Sequence, residues 1–198
     1  MINFDNIHKE SPVSIIHQKY LKALDADQKN IEAIAISSLD TKKKEVDSRY
    51  VNLKYVKNDQ FIFFTNYNSP KSAQFKMHNQ ISVLIFWPQI NTQIRMKAII
   101  SKTNEMFNKE YFKKRDIEKN ALSISSNQSS VISSYSEVLN NYKIVKINDD
   151  LTKCPTYWGG YSFIPYIIEF WEGNESRINK RYLYEFRNDV WSYSVLEP

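Results

Sequence analysis

Residues 161–196 read YSFIPYIIEFWEGNESRINKRYLYEFRNDVWSYSVL. β-Branched and aromatic residues crowd three runs here, Tyr161–Trp171, Ser176–Phe186 and Val190–Val195. Such residues favour extended chain because they fit a pleated, half-buried surface. Arg187-Asn188-Asp189 carries turn residues and joins the last two runs as a hairpin.

The same pattern recurs upstream. Ile31–Leu39 reads as a buried strand, and the charged stretch Asp40–Asp47 as a solvated hairpin connection. Tyr50–Val56 and Gln60–Asn66 follow, joined by the turn Lys57-Asn58-Asp59. Ile81–Trp87 is a central strand stopped by Pro88, and Thr92–Lys102 alternates again. Helices lie between. Val13, Ile16, Tyr20 and Leu24 recur at helical spacing. Ser69-Pro70-Lys71 opens a short helix to about Asn79, with Ser69 as N-cap and Pro70 in the first turn. Asn104 caps a helix through about Arg115. The serine-rich residues 120–136 space Leu122, Val131, Val138, Leu139 and Tyr142 as helix with a loop inside it. The expected fold is mostly β with peripheral helices, an antiparallel barrel. Residues 1–12 are expected as a flexible arm, 13–150 as the barrel region, and 151–198 as a segment completing the same domain.

Composition narrows the function classes. The 198 residues are 42% hydrophobic, 14% aromatic and 25% charged, as in ordinary globular proteins. Three glycines leave no glycine-rich phosphate loop. The net charge of +5 suits an anionic ligand and is too weak for nucleic-acid binding. A single cysteine, Cys154, forms no internal disulfide and reads as a packed residue of a reducing compartment. No apolar run approaches the roughly 18 residues of a membrane span, and Met1–Pro12 lacks the apolar core of a signal peptide. A cytoplasmic location with no membrane partner is expected. His8, His17 and His78 lack metal-ligand spacing, so no metal is expected. No G-x-S-x-G elbow is present.

Four cationic constellations remain. The helix start at Ser69 favours phosphate, with Thr65 and Lys71 beside it; most capped helices bind nothing. Arg49 and Lys54 share a strand, yet regular alternation puts them on opposite faces, so a common ligand needs a bulge or contact at the strand end. Tyr111, Arg115 and Lys119 stand at i, i+4 and i+8, and would form one stripe if the helix or its last turn reaches Lys119. Arg177, Asn179 and Arg181 alternate on one strand and share a face, fit for an anion or a partner. Each has a bland reading as solvated surface.

Taken in order, these pieces form a pattern. Arg49-Tyr-Val-Asn-Leu-Lys54, Phe63-Phe-Thr-Asn66, Ser69-Pro-Lys71, Gln93 and Gln128-Ser-Ser130 lead to a more specific end. There stand Tyr157-Trp-Gly-Gly160, Ile168-Glu-Phe-Trp-Glu-Gly173, Arg177-Ile-Asn-Lys-Arg-Tyr-Leu-Tyr184, Trp191 and Leu196-Glu-Pro198. Over residues 12–198 the chain resembles the pyridoxamine 5'-phosphate oxidase family. The resemblance implies a homodimeric FMN-binding split β-barrel with two FMN molecules in clefts between the subunits. It implies that Arg49, Lys71, Gln128 and Ser129 hold the FMN phosphate and ribityl chain. The strand Arg49, Tyr50, Val51, Asn52, Leu53 and Lys54, with Phe64, Thr65 and Gln93, would line the flavin. Trp171 and Arg181 would reach it from the partner subunit. Lys54, Tyr111, Arg115 and Lys119 would take the substrate phosphate, and Arg177 and Asn179 would face the substrate ring as the catalytic pair.

The implied reaction oxidises pyridoxamine or pyridoxine 5'-phosphate to pyridoxal 5'-phosphate, with dioxygen reduced to hydrogen peroxide. Three residues depart from the family pattern: Pro70 replaces an arginine, Lys119 a serine and Asn179 a histidine. Other readings stay open: a related flavin enzyme on another compound, such as phenazine-pathway relatives, a carrier of FMN or pyridoxal phosphate, or a polyanion binder.

Overall fold

The computed structural model describes all residues, 1–198, as nine strands and five α-helices around one core. The strands are β1 (Asn3–Asp5), β2 (Ala33–Asp40), β3 (Glu45–Lys57), β4 (Gln60–Asn66), β5 (Gln80–Trp87), β6 (Thr92–Lys102), β7 (Trp158–Glu172), β8 (Lys180–Arg187) and β9 (Val190–Leu196). The helices are α1 (Val13–Asp25), α2 (Pro70–Met77), α3 (Glu105–Lys114), α4 (Ile117–Ser125) and α5 (Tyr135–Asn148).

Strand pairing closes a barrel. The order β3-β2-β5-β6-β7 is joined at its ends by β4, which pairs with both β3 and β7. All these pairs are antiparallel. β7 is long enough to pair with β4 through its first residues and with β8 through its last, so β8 and β9 continue the sheet beyond the barrel. Alternation explains the filling: Ile81, Val83, Ile85 and Trp87 of β5 are buried while Ser82, Leu84 and Phe86 face out. Ile34, Ile36, Leu53, Phe61, Phe63, Ile94, Met96, Phe163 and Phe170 complete the interior.

Several expectations change. Residues 1–12 are not a loose arm: Asn3–Asp5 pairs in parallel with Tyr55–Lys57, the Ile2 N–H donates to the Tyr20 hydroxyl at 3.1 Å, and Phe4 stacks on His17. The edge of β3 beyond the end of β2 offers unpaired backbone groups, and the arm satisfies them. The solvated connection shrinks to the turn before Glu45, so β3 begins five residues earlier than Tyr50. Leu24 turns outward, and Ala23 takes the buried place on α1.

Candidate functional site

A cavity of about 780 Å³ opens between β3, β4, the start of α2, the α3–α4 junction and the loop after α4. Arg49, Lys54, Lys71, Lys114, Arg115 and Lys119 line it against one carboxylate, Asp116. Arg49 and Lys54 share this space because the β3–β4 register shifts between Leu53 and Tyr55, a bulge that re-aims Lys54.

One end carries a buried cation. Lys71, in the first turn of α2, is only 8% exposed and has no carboxylate within ion-pair reach. Its ammonium donates to Ser69 Oγ and Gln128 Oε1, both at 3.2 Å. Burial, and then the charge of Arg49, pull the Lys71 ammonium down to about 8. Arg49 donates to Ser38 Oγ at 2.6 Å and Gln74 Oε1 at 2.9 Å, with Asp47 at 3.8 Å. Burial lowers the Arg49 pKa, and Asp47 partly offsets this. Thr65 donates to the same Gln128 oxygen at 3.1 Å. Ser69 stands at the N-cap position but does not cap α2: its hydroxyl donates to the Asn66 carbonyl at 2.7 Å, as Ser72 does at 2.9 Å.

The other end gathers Lys54, Tyr111, Arg115 and Lys119. They do not form a single helical stripe. α3 stops at Lys114, Arg115 takes an extended ψ of 153°, and Asp116 caps a new helix by accepting from the Lys119 N–H at 3.1 Å. Aspartate as a helix N-cap with Glu118 in the first turn was the sequence signal for this break. Arg115 folds back to donate to the Lys119 carbonyl at 2.8 Å and Ser123 Oγ at 2.7 Å. Burial lowers the Lys54 pKa; Glu32 opposes this, while Lys119 and Arg115 add to it.

An aromatic wall joins the two ends. Phe64 stacks on Tyr111 at 3.8 Å between centroids and 6° between planes, and on Trp158 at 5.2 Å and 9°. The Arg115 guanidinium lies 5.1 Å from the Trp158 ring centre. Next to Trp158, Gly159 and Gly160 leave room for Tyr67, Asn108 and Thr103 to pack against β7. A Cβ on Gly159 would stand 2.2 Å from the Tyr67 hydroxyl, and one on Gly160 would stand 2.5 Å from Thr103 Oγ1. Asn108 locks the spot, accepting from the Gly160 N–H at 2.9 Å and donating to Tyr67 at 3.1 Å.

Of the residues singled out in the sequence, Arg49, Tyr50, Val51, Asn52, Lys54, Phe64, Thr65, Lys71, Tyr111, Arg115, Lys119, Gln128 and Ser129 line this one cavity. Leu53 does not: it is 1% exposed inside the barrel, leaving only its backbone for a ligand. Gln93, Trp171 and Arg181 lie apart as one transverse row across β6, β7 and β8. Arg177 and Asn179 are not on a strand with Arg181, because β8 starts at Lys180. Asn174 builds a turn there: its side chain accepts from the Ser176 N–H at 3.0 Å, its carbonyl accepts from the Arg177 N–H at 2.9 Å, and Arg177 takes a φ of 62°. Lys114, Asp116 and Trp158 went unrecognised in the sequence, as did Ser38 and Gln74, which hold Arg49. Trp158, Ser38 and Gln74 are buried and Lys114 and Asp116 are exposed at the α3–α4 break; neither placement has a local signature.

Sequence comparison gives relatives. A model of the "Pyridoxine 5'-phosphate oxidase C-terminal dimerisation region" matches residues 158–198. Pyridoxine/pyridoxamine 5'-phosphate oxidase 1 of Hydrogenovibrio crunogenus is 32% identical over 180 residues, 89% of this chain and 83% of its own. The pyridoxine/pyridoxamine 5'-phosphate oxidase of Neisseria meningitidis serogroup C strain FAM18 is 30% identical over 190 residues, 96% of this chain and 90% of its own. Among solved structures, PhzG from Burkholderia lata 383 in complex with tetrahydrophenazine-1-carboxylic acid superposes with a TM-score of 0.90 at 21% identity, covering 96% of this chain and 93% of its own. A pyridoxamine 5'-phosphate oxidase-related, FMN binding protein from Nostoc punctiforme gives 0.76 at 12%, covering 96% and 99%. At these identities the two structures speak for the fold, the mostly-β split barrel.

Proposed function

The chain belongs to the pyridoxine/pyridoxamine 5'-phosphate oxidase family, and from that premise we propose that it is an FMN-dependent oxidase converting pyridoxamine or pyridoxine 5'-phosphate to pyridoxal 5'-phosphate. The observation that carries this reading is Lys71, a buried ammonium with no counter-anion, facing a second cationic cluster across one cavity. An unpaired buried charge is costly, and a phosphate would complete it. About 780 Å³ lies within the usual range for cofactor and small-molecule sites. The residues present fit FMN.

Arg49, Lys71, Gln128 and Ser129 hold the FMN phosphate and ribityl chain in this reading, and Tyr50, Val51, Asn52, Thr65 and the backbone at Leu53 border the flavin. Phe64 contributes a fixed wall, since its ring is committed to the stack with Tyr111 and Trp158. Lys54, Tyr111, Arg115 and Lys119 bind the substrate phosphate. The Tyr111 hydroxyl stays protonated as a donor, because burial raises its pKa. When bound, FMN supplies a ring that accepts a hydride from the substrate and passes two electrons to dioxygen, yielding hydrogen peroxide. The chain's own part is orientation and charge complementarity.

Gln93, Trp171 and Arg181 lie outside the cavity of their own chain, so in this reading a second copy brings Trp171 and Arg181 to it. They share the outer sheet face with the exposed Leu84 and Phe86, which a homodimer would cover. Arg177 and Asn179, on the loop just before Arg181, would face the substrate ring.

Anaerobic mixing of the FMN-loaded protein with pyridoxamine 5'-phosphate tests the reaction. Bleaching of the flavin band is expected, with peroxide released on adding oxygen. A band that stays unchanged overturns this substrate. A second reading, a flavin oxidoreductase acting on an aromatic carboxylate, has one feature in favour: Lys119 and Asn179, on the substrate side, stand where the family pattern has a serine and a histidine. Bleaching by such an acid and not by pyridoxamine 5'-phosphate would select it.

A further inference from the structure

Arg181 is already held in the single chain. Its Nε donates to Glu169 Oε1 at 3.0 Å, its Nη2 stands 3.0 Å from the same oxygen, and its Nη1 donates to the Glu197 carbonyl at 2.9 Å. Glu169 is 6% exposed, and its other oxygen is taken by Arg95, its cross-strand partner on β6. On β8, Arg181 stands directly opposite Trp171 and, on its other side, opposite Leu196 of β9.

This arrangement does two things. A buried carboxylate between two guanidiniums neutralises part of a like-charge pair that would otherwise splay. The Nε and Nη1 bonds also fix a side chain with many rotamers, while the remaining guanidinium N–H groups stay available for a ligand. An arginine ordered before binding spares the complex that entropy loss.

We propose that Glu169, with the main-chain carbonyl of Glu197, is a positioning clamp for Arg181, fixing its guanidinium on the outer sheet face in the orientation that a second copy's cofactor cavity receives. The clamp rests on the reading of the cavity as an FMN site shared between two copies. It gives the chain's last residues a role in the site of the other subunit. Arg95 uses the same carboxylate without touching Arg181's bonds, and it serves as the control.

The test is the FMN affinity of the apo-protein, read by quenching of flavin fluorescence, with the dimer followed by sedimentation velocity. Glu169→Gln is expected to weaken FMN binding ~10-fold with the dimer intact. In an Arg181→Met background, adding Glu169→Gln is expected to cause no further loss, since the carboxylate acts through the arginine. Arg95→Met is expected to leave the affinity as in the wild type. Should Glu169→Gln fail to dimerise, Glu169→Asp keeps the charge and withdraws it by one methylene, and a smaller loss is expected. Unchanged affinity in the Glu169 variants, or losses that add to that of Arg181→Met, overturn the clamp. A wild-type protein that takes up no FMN overturns the cofactor reading itself, and the clamp with it.

Discussion

Lys71 donates to Gln128 Oε1 at 3.2 Å, a bond between residues 57 positions apart in the chain. It ties the first turn of α2 to the loop between α4 and α5, and Thr65 of β4 donates to the same oxygen. Three separate elements thus meet on one amide, beside a cation that has no anion of its own.

With Lys71 at the FMN phosphate, as proposed, its ammonium, pulled to about 8 from 10.5, is expected to make phosphate binding depend on pH. Only the protonated form attracts the anion, so apo-protein affinity for FMN is expected to fall as pH rises through about 8. The effect on stability has the opposite direction. The unfolded chain keeps this proton to a higher pH than the folded one, so stability rises between about 8 and 10.5. Lys71→Met is expected to lower FMN affinity about 10–100-fold and flatten its pH profile. Fluorescence titrations from pH 7 to about 10 check both. A pH profile that Lys71→Met leaves unaltered would place this cation away from the phosphate.

Arg177 sits on the Asn174 turn, apart from the cationic cavity. Arg177→Ala is therefore expected to reduce turnover of pyridoxamine 5'-phosphate by roughly tenfold or more while FMN remains bound. Steady-state peroxide release and the flavin content of the purified variant measure the two separately. Loss of flavin from an intact dimer contradicts a substrate-side role.

Trp158 is 5% exposed, stacked with Phe64 and edge-on to Phe112. Removing its ring leaves a void that the rigid barrel fills poorly. Trp158→Ala is expected to destabilise the fold by about 3–5 kcal/mol, read as a lower urea midpoint. A midpoint within error of the wild type would show that the wall adapts freely.

Gly159 is needed for space rather than for its backbone, since no glycine here has a positive φ. A methyl group would stand 2.2 Å from the Tyr67 hydroxyl and 2.6 Å from Asn108 Nδ2, both held by further hydrogen bonds. Gly159→Ala is expected to cost about 1–3 kcal/mol, and to cost less in a Tyr67→Phe background, where the hydroxyl it meets is gone. Denaturant curves of the single and double variants decide this, and additive losses would rule out the close contact as the cause.

Much of the barrel was legible because alternation in strands such as β5 and β6 and turn residues such as Asn58 and Asn188 act locally. Of the two expected ways to bring Arg49 and Lys54 together, a bulge or contact at the strand end, the bulge is met by the register shift next to Lys54. The condition for the α3 stripe, a helix reaching Lys119, is not met, and the supposed Arg177–Arg181 strand was read wrongly. In both, a short polar side chain, Asp116 or Asn174, bonds its neighbouring backbone and diverts the chain.

The sequence by itself determined the kinds of element, the sign of the ligand's charge and the family pattern, since these follow from residue type and spacing. Only the tertiary structure decided that Lys71 lies buried beside Arg49 with Gln128 between it and Thr65, and that Gln93, Trp171 and Arg181 lie outside the cavity. It also decided that Glu169 secures Arg181. Burial and long-range pairing depend on how strands distant in sequence close around one core, and no local window of residues encodes that closure.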